Sequence, residues 1–199
     1  MADTFLTVAG PSEAVFTEKR SKFLAFAWPV KTAAQAREHV DALAKEYYDA
    51  RHVCWAYMLG PDRKEFRAND NGEPSGTAGK PILGQINSLE LTDTLVAVVR
   101  YFGGIKLGTS GLIAAYREAA RLALAEAEII QCHVTARLSF TFPYAVINDV
   151  MKIARAPGTT VIDQEFDNTC SMTLEVNLDR LDEYRRRLDD IDGLTFDPS

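Results

Sequence analysis

Leu95-Val96-Ala97-Val98-Val99-Arg100-Tyr101-Phe102-Gly103-Gly104-Ile105-Lys106-Leu107-Gly108-Thr109-Ser110-Gly111 is the stretch on which the rest of the chain can be hung. Its first five residues form a short apolar run, bounded by Asp93 and by Gly103-Gly104, that predicts a buried strand. From Ser110 to about Glu128 the pattern turns helical and alanine-rich. Leu112, Ala115, Ala119, Leu122 and Leu124 fall mostly on one side, and Thr109 or Ser110 stands where an N-cap hydroxyl belongs. A strand that passes through glycines into a helix presents free amides and a positive dipole end to an anion. The dinucleotide fingerprint is absent, because Ile105 occupies the place of its second glycine. Arg100 and Lys106 add positive charge, or else pair with Asp70 or Glu73.

Upstream, residues 14–30 read as two extended pieces around a charged, Ser-containing break. In the second piece Phe23, Ala25 and Ala27 alternate with Leu24, Phe26 and Trp28, apolar on both sides, as in a strand covered on both faces. Thr32 and Gln35 make a capping box, followed by the helical stripe Ala33, Ala36, Val40, Leu43 and Tyr47. Residues 52–59 return to strand, and a polar loop with a short strand near Phe66 is expected to run through residue 81.

Downstream of residue 133 the alternation becomes strict. Leu138, Phe140 and Phe142 share one strand face, residues 144–155 read as a helix, and Ala156-Pro157-Gly158 stops it. Two strands, 159–166 and 169–178, meet at Asp167-Asn168; Cys170, Met172, Leu174, Val176 and Leu178 recur every second residue of the latter. A short charged helix from Leu181 to Leu188 and a last strand at 194–196 complete a β-α-β-β-α-β order, the ferredoxin-like plan. The fold class is therefore α+β, with domains predicted at 1–133 and 134–199.

Charge supports that division. The 199 residues carry a net charge of −6. Residues 1–133 hold 15 Lys and Arg against 16 Asp and Glu, and residues 134–199 hold 7 against 12. The overall sign argues against wholesale phosphate neutralisation, so anion binding belongs to local features of the first domain. No apolar run approaches a membrane span, and MADTFLTVAG has neither the basic start nor the apolar core of a secretory signal. Cys54, Cys132 and Cys170 are an odd number without CxxC spacing, which points to a reducing cytoplasm.

The densest cluster of chemistry-bearing residues is Asp70-Asn71-Gly72-Glu73-Pro74-Ser75-Gly76-Thr77-Ala78-Gly79-Lys80-Pro81. Its glycines let amides converge into an anion nest, to which Lys80 adds a point charge; the alternative is a tight multi-turn loop. A nucleotide P-loop fails twice, at Pro74 and at Pro81. His52 and Cys54 share one strand face, but neither metal-ligand spacing nor an activated thiol accompanies them, and a core or hydrogen-bonded role is the simpler reading. No metal and no cofactor is expected. Binding candidates are His52, Asp70, Glu73, Ser75, Gly76, Thr77, Gly79 and Lys80, with Arg100, Tyr101, Gly103, Gly104, Lys106, Gly108 and Thr109.

SKFLAF, ARHVCWAYMLG, NDNGEPSGTAGKPIL and VVRYFGGIKLGTSGLIAAY together resemble the YigZ/IMPACT family in its bacterial, two-domain form, over about residues 12–125. The resemblance implies a first domain similar to the second domain of a small-subunit ribosomal protein. It implies a second domain similar to a late domain of elongation factor G. Eukaryotic members regulate translation initiation through protein partners, so the resemblance implies a cytoplasmic binding protein that meets RNA, the ribosome or a translation factor. On that reading, substituting Arg100 and Lys106 weakens the association. The competing expectation is an enzyme acting on a small phosphorylated or carboxylated metabolite. There Asp70 or Glu73 would serve as acid/base with His52 as partner, and the 70–81 and 100–111 loops would form the site.

Overall fold

A computed structural model describes residues 3–198. In chain order the elements are β1 (Thr4–Val8), β2 (Ser12–Glu18), β3 (Ser21–Pro29), α1 (Ala33–Glu46), β4 (His52–Leu59), β5 (Glu65–Asn69), α2 (Gly79–Ser88), β6 (Thr94–Tyr101) and α3 (Gly108–Ala125). They continue with β7 (Ile129–His133), β8 (Thr135–Pro143), α4 (Ile147–Ala154), β9 (Thr159–Glu165), β10 (Thr169–Asn177), α5 (Leu181–Asp189) and β11 (Thr195–Phe196). The chain is α+β with antiparallel sheets, and it divides into two units. One is Phe5–Cys132; the other takes in residues 3–4 and 133–198.

In the first unit a five-stranded antiparallel sheet runs β2-β3-β6-β4-β5. Because side chains alternate across a strand, its central strands feed two cores. Phe23, Ala25, Cys54, Ala56, Val96 and Val98 face α2 and α3, where Ile82, Ile86, Leu112, Tyr116 and Ala119 complete the packing. Val53, Trp55, Tyr57, Leu95, Ala97 and Val99 face α1 through Ala36, Val40 and Leu43. The two-sided apolar pattern of β3 is thus met: Phe23, Ala25 and Ala27 are fully buried and Leu24, Phe26 and Trp28 half-buried. Thr32 caps α1 as expected, with Gln35 N donating to Thr32 Oγ1 at 3.1 Å, while the Gln35 side chain reaches one residue further back than a capping box requires and accepts from Lys31 N at 2.7 Å.

Two expectations for this unit need correction. The 70–81 loop ends early, since α2 begins at Gly79; Pro81 sits in its first turn, where a missing N–H costs nothing. The third helix starts at Gly108 rather than Ser110, and neither Thr109 nor Ser110 caps it. Gly108 adopts φ +73°, a left-handed conformation open to glycine, and so turns the chain into the helix ahead of both hydroxyls. β1 and β7 pair with each other in a separate two-stranded ribbon.

In the second unit the strands are ordered β11-β8-β10-β9, every neighbour antiparallel. Met172 lies opposite Phe140 and Leu174 opposite Leu138, so the strict alternations of β8 and β10 build one apolar face. Val150, Ile153, Tyr184 and Leu188 of α4 and α5 cover it. The helix expected over 144–155 opens with a 3-10 turn at Tyr144–Val146, and Leu178 begins a second such turn instead of extending β10.

Candidate functional site

The site residues come from three neighbouring places in the first unit: the start of β4, the loop after β5, and the passage from β6 into α3. Antiparallel pairing sets His52 opposite Arg100, and Arg100 opposite Phe23 on the other side of β6. Arg100 therefore points to the α3 side of the sheet, while Tyr101 points to the α1 side and donates to Asp49 Oδ1 at 2.7 Å. That hydrogen bond pushes the Tyr101 phenol up to about 12.

Glu73 is the hub. Its Oε1 accepts from Arg100 Nη1 at 2.6 Å and from Tyr116 Oη at 2.6 Å, and His52 Nε2 lies 3.8 Å away. The Arg100 and Glu73 side chains are 7% and 4% exposed, so the pair is a buried one. Arg100 Nη2 adds a long contact of 3.4 Å to Ser21 Oγ, and its Nε has no hydrogen-bond partner among the described residues. His52 Nδ1 donates to the Asn71 carbonyl at 2.8 Å, which fixes the ring and presents Nε2 to Glu73.

Cys54 lies behind this cluster, 3.0 Å from the Asp70 carbonyl and 3.4 Å from Tyr116 Oη. Burial pushes its thiol up to about 12, outweighing the Tyr116 hydrogen bond, so it is no nucleophile near neutral pH. Burial likewise raises the Tyr116 phenol, with Cys54 and Glu73 adding to the effect.

Asp70 occupies the glycine nest itself. Its Oδ2 accepts from Gly76 N at 2.8 Å, and Oδ1 accepts from Ala78 N at 3.0 Å and Gly79 N at 2.8 Å. Burial works to raise its pKa, but the three amides outweigh burial and hold it below the usual carboxylate value. This carboxylate caps α2, whose own N-cap residue, Ala78, has no side-chain oxygen to offer. The amides expected to cradle an outside anion at 76–79 are thus engaged by the chain's own aspartate. Thr77 turns inward onto the Pro74 carbonyl at 2.6 Å, and Ser75 is exposed.

A cavity of about 410 Å³ opens at the junction of these elements. It is lined by Arg51, His52, Glu73, Pro74, Arg100, Phe102, Lys106, Leu107, Gly108, Thr109 and Leu112. Of the sequence candidates it gathers His52, Glu73, Arg100, Lys106, Gly108 and Thr109. Asp70, Ser75, Gly76, Thr77, Gly79, Lys80, Tyr101, Gly103 and Gly104 do not line it. Gly103 serves close packing: a Cβ there would overlap the Arg20 backbone.

The segment that carries these residues, 19–124, matches the family model described as the Impact N-terminal domain. The chain belongs to the IMPACT family. A Bacillus subtilis relative, IMPACT family member YvyE, is 41% identical over 116 residues, 58% of this chain and 54% of its own length. Escherichia coli YigZ is 38% identical over 116 residues, 57% of each chain. The match thus spans little more than half the length of these curated relatives. A solved crystal structure described as a hypothetical protein shares 26% identity at a TM-score of 0.79, covering 98% of this chain and 97% of its own. Every cleft residue of this IMPACT protein falls within the matched segment.

Arg51 and Phe102 are not among the residues singled out from the sequence, although Phe102 lies within the 100–111 loop taken as part of the site. The usable signal was Phe102 lying between a strand and two glycines, where an aromatic ring has no core to enter. Among the described residues there is no cluster of three or more His, Cys, Asp or Glu suited to a metal, and no helix long and apolar enough to cross a membrane.

Proposed function

We propose that this IMPACT protein is a non-catalytic, cytoplasmic binding protein linked to translation, holding an anionic group of RNA or the ribosome in the cleft. The observation that carries the reading is a charge imbalance. Arg51 and Lys106 are exposed at the cleft and have no acidic partner among the described residues, while its one carboxylate, Glu73, is neutralised by Arg100. The first turn of α3, without a side-chain cap, lies in the same wall, so unpaired amides and the positive end of the helix dipole add to the two cations. Phosphate suits that set better than the acidic surface of a translation factor, because bare amides and two cations converge on a small group. The link to translation comes from the family resemblance.

The companion fold reading takes residues 134–199 as a ferredoxin-like domain, supported by the β11-β8-β10-β9 order with a helix in each crossover. It likens residues 1–133 to the second domain of a small-subunit ribosomal protein. Three free cysteines accord with a reducing compartment.

A second reading, an enzyme on a small phosphorylated or carboxylated metabolite, draws on the concavity of the site, whose volume lies within the usual range for small-molecule pockets. Against it, Asp70 is committed to three amides and Glu73 to Arg100 and Tyr116, so neither is a free acid or base. The test is co-sedimentation with ribosomes for the wild type and the Arg51→Ala/Lys106→Ala double variant. These exposed cations replace the pair Arg100 and Lys106, because Arg100 is buried in an ion pair and its loss would disturb the fold. Association should weaken in the variant and fall as salt rises. Co-sedimentation unchanged by the double substitution would overturn the reading.

A further inference from the structure

We infer that the cleft accepts one nucleotide, its phosphate at Arg51, Lys106 and the first turn of α3 and its base on the face of Phe102. The inference rests on the phosphate reading above and names the chemical class of the ligand. Its independent observation is the other wall of the cleft. Phe102 is 52% exposed although it follows on a strand buried from Thr94 to Arg100, and it stands in the cavity with Pro74, Leu107 and Leu112. A phosphate or a small carboxylate alone would leave that apolar wall wet. A planar base covers it, and stacking on an exposed aromatic ring is how single nucleotides are held without a sequence code.

Arg100 joins the two halves. Its side chain is 7% exposed, lines the cleft, and leaves Nε without a hydrogen-bond partner among the described residues. Its guanidinium carbon lies 5.7 Å from the centroid of the Phe102 ring, so the ring is held from one side by a cation that Glu73 anchors. The platform is therefore fixed in advance of the ligand, which lowers the ordering cost of stacking. A cavity of about 410 Å³ has room for a mononucleotide and none for a duplex. The same chemistry is offered by a free nucleoside monophosphate and by the 5′-phosphorylated end of an RNA strand.

The experiment is a calorimetric titration of the full chain with adenosine 5′-monophosphate, adenosine, inorganic phosphate, and an RNA tetranucleotide with and without a 5′-phosphate. Arg51→Ala/Lys106→Ala and Phe102→Ala, all exposed positions, are the variants. The nucleotide should bind more tightly than adenosine or phosphate. Phe102→Ala should weaken it about tenfold and leave phosphate unaffected. The double variant should weaken every phosphorylated probe and leave adenosine unaffected. A preference for the monophosphate over the phosphorylated tetranucleotide assigns the site to free nucleotides, and the reverse assigns it to RNA ends; both support the inference. Nucleotide binding without ribosome co-sedimentation also supports it, while removing the proposed link to translation. Ribosome association with no nucleotide binding at millimolar concentration overturns it, as does a Phe102→Ala variant with wild-type nucleotide affinity.

Discussion

Glu73 Oε1 accepts from Arg100 Nη1 at 2.6 Å across 27 residues of chain, and both side chains are almost wholly removed from water. A buried pair of this kind gives little net stability over an apolar replacement, yet removing one partner strands the other charge. Its value to the protein is positional, since it fixes the loop after β5 to the end of β6 and aims Arg100 along the cleft wall.

Glu73→Gln should therefore cost about 3–5 kcal/mol of unfolding free energy, the range for an orphaned buried charge. Tyr116→Phe, which removes a neutral hydroxyl that donates to the same oxygen and accepts from Cys54 Sγ, should cost less, about 1–2 kcal/mol. Urea denaturation of the two variants against the wild type measures both. Equal and small losses would show that water compensates Arg100 and that the pair is not the anchor described.

Asp70 gives the protein an acid-sensitive cap. Its folded pKa lies below the ordinary value of 3.8, so the folded state holds its charged form more strongly than the unfolded state does. The resulting stabilisation is fully present above that ordinary value and is lost as pH falls through the lower, folded one. Asp70→Asn keeps one oxygen for Ala78 N and Gly79 N but sets an amide NH2 against Gly76 N, and should lower stability at pH 7 by about 1–3 kcal/mol, the cost of leaving a polar group without its partner. It should also flatten the fall in melting temperature below pH 4. An unchanged acid limb in Asp70→Asn would assign that limb to other carboxylates.

The three thiols should separate by burial. Cys54 and Cys170 are fully buried, and burial holds the Cys54 thiol up at about 12. Cys132 is half-buried. A disulfide reagent at pH 8 should modify one thiol quickly in the native protein and the other two only on unfolding. Cys132→Ser should abolish the fast phase. A fast phase that survives this substitution would mean that the β4 cluster opens to solvent.

What the sequence made legible follows from periodicity. The strands β3, β4, β6, β8 and β10 announce themselves because each pairs alternation with a continuous apolar face, and side-chain period is what burial selects. α2 was hidden because Gly79, Pro81 and Gly84 are poor helix formers within ten residues, and its cap comes from Asp70, nine positions before its first residue. Local pattern does not encode a cap delivered from another turn. The same holds for the site. The strand–glycine–helix passage was visible, but the nest at 76–79 looked open to a ligand because nothing in the spacing reveals that Asp70 folds back into it. Arg51 joins the cleft only through the pairing of β4 with β6, which is long-range information.

The second unit has the means to fold without the first. Leu138, Phe140, Phe142, Val150, Cys170, Met172, Leu174, Val176, Tyr184 and Leu188 form a buried cluster drawn wholly from residues beyond 133. Tyr184 also donates to the Pro157 carbonyl at 2.8 Å, tying α5 to the turn after α4. A fragment of residues 134–199 should therefore give a cooperative thermal transition by circular dichroism. Its stability should be modest, because a domain of that size buries only about 60% of the surface its unfolded chain exposes. With 7 basic against 12 acidic residues it should also pass unretained over a phosphate resin and leave RNA unbound. An unfolded fragment would show that its core borrows from residues 1–133. Retention on the resin would move anion binding out of the cleft and overturn the assignment of Arg51 and Lys106.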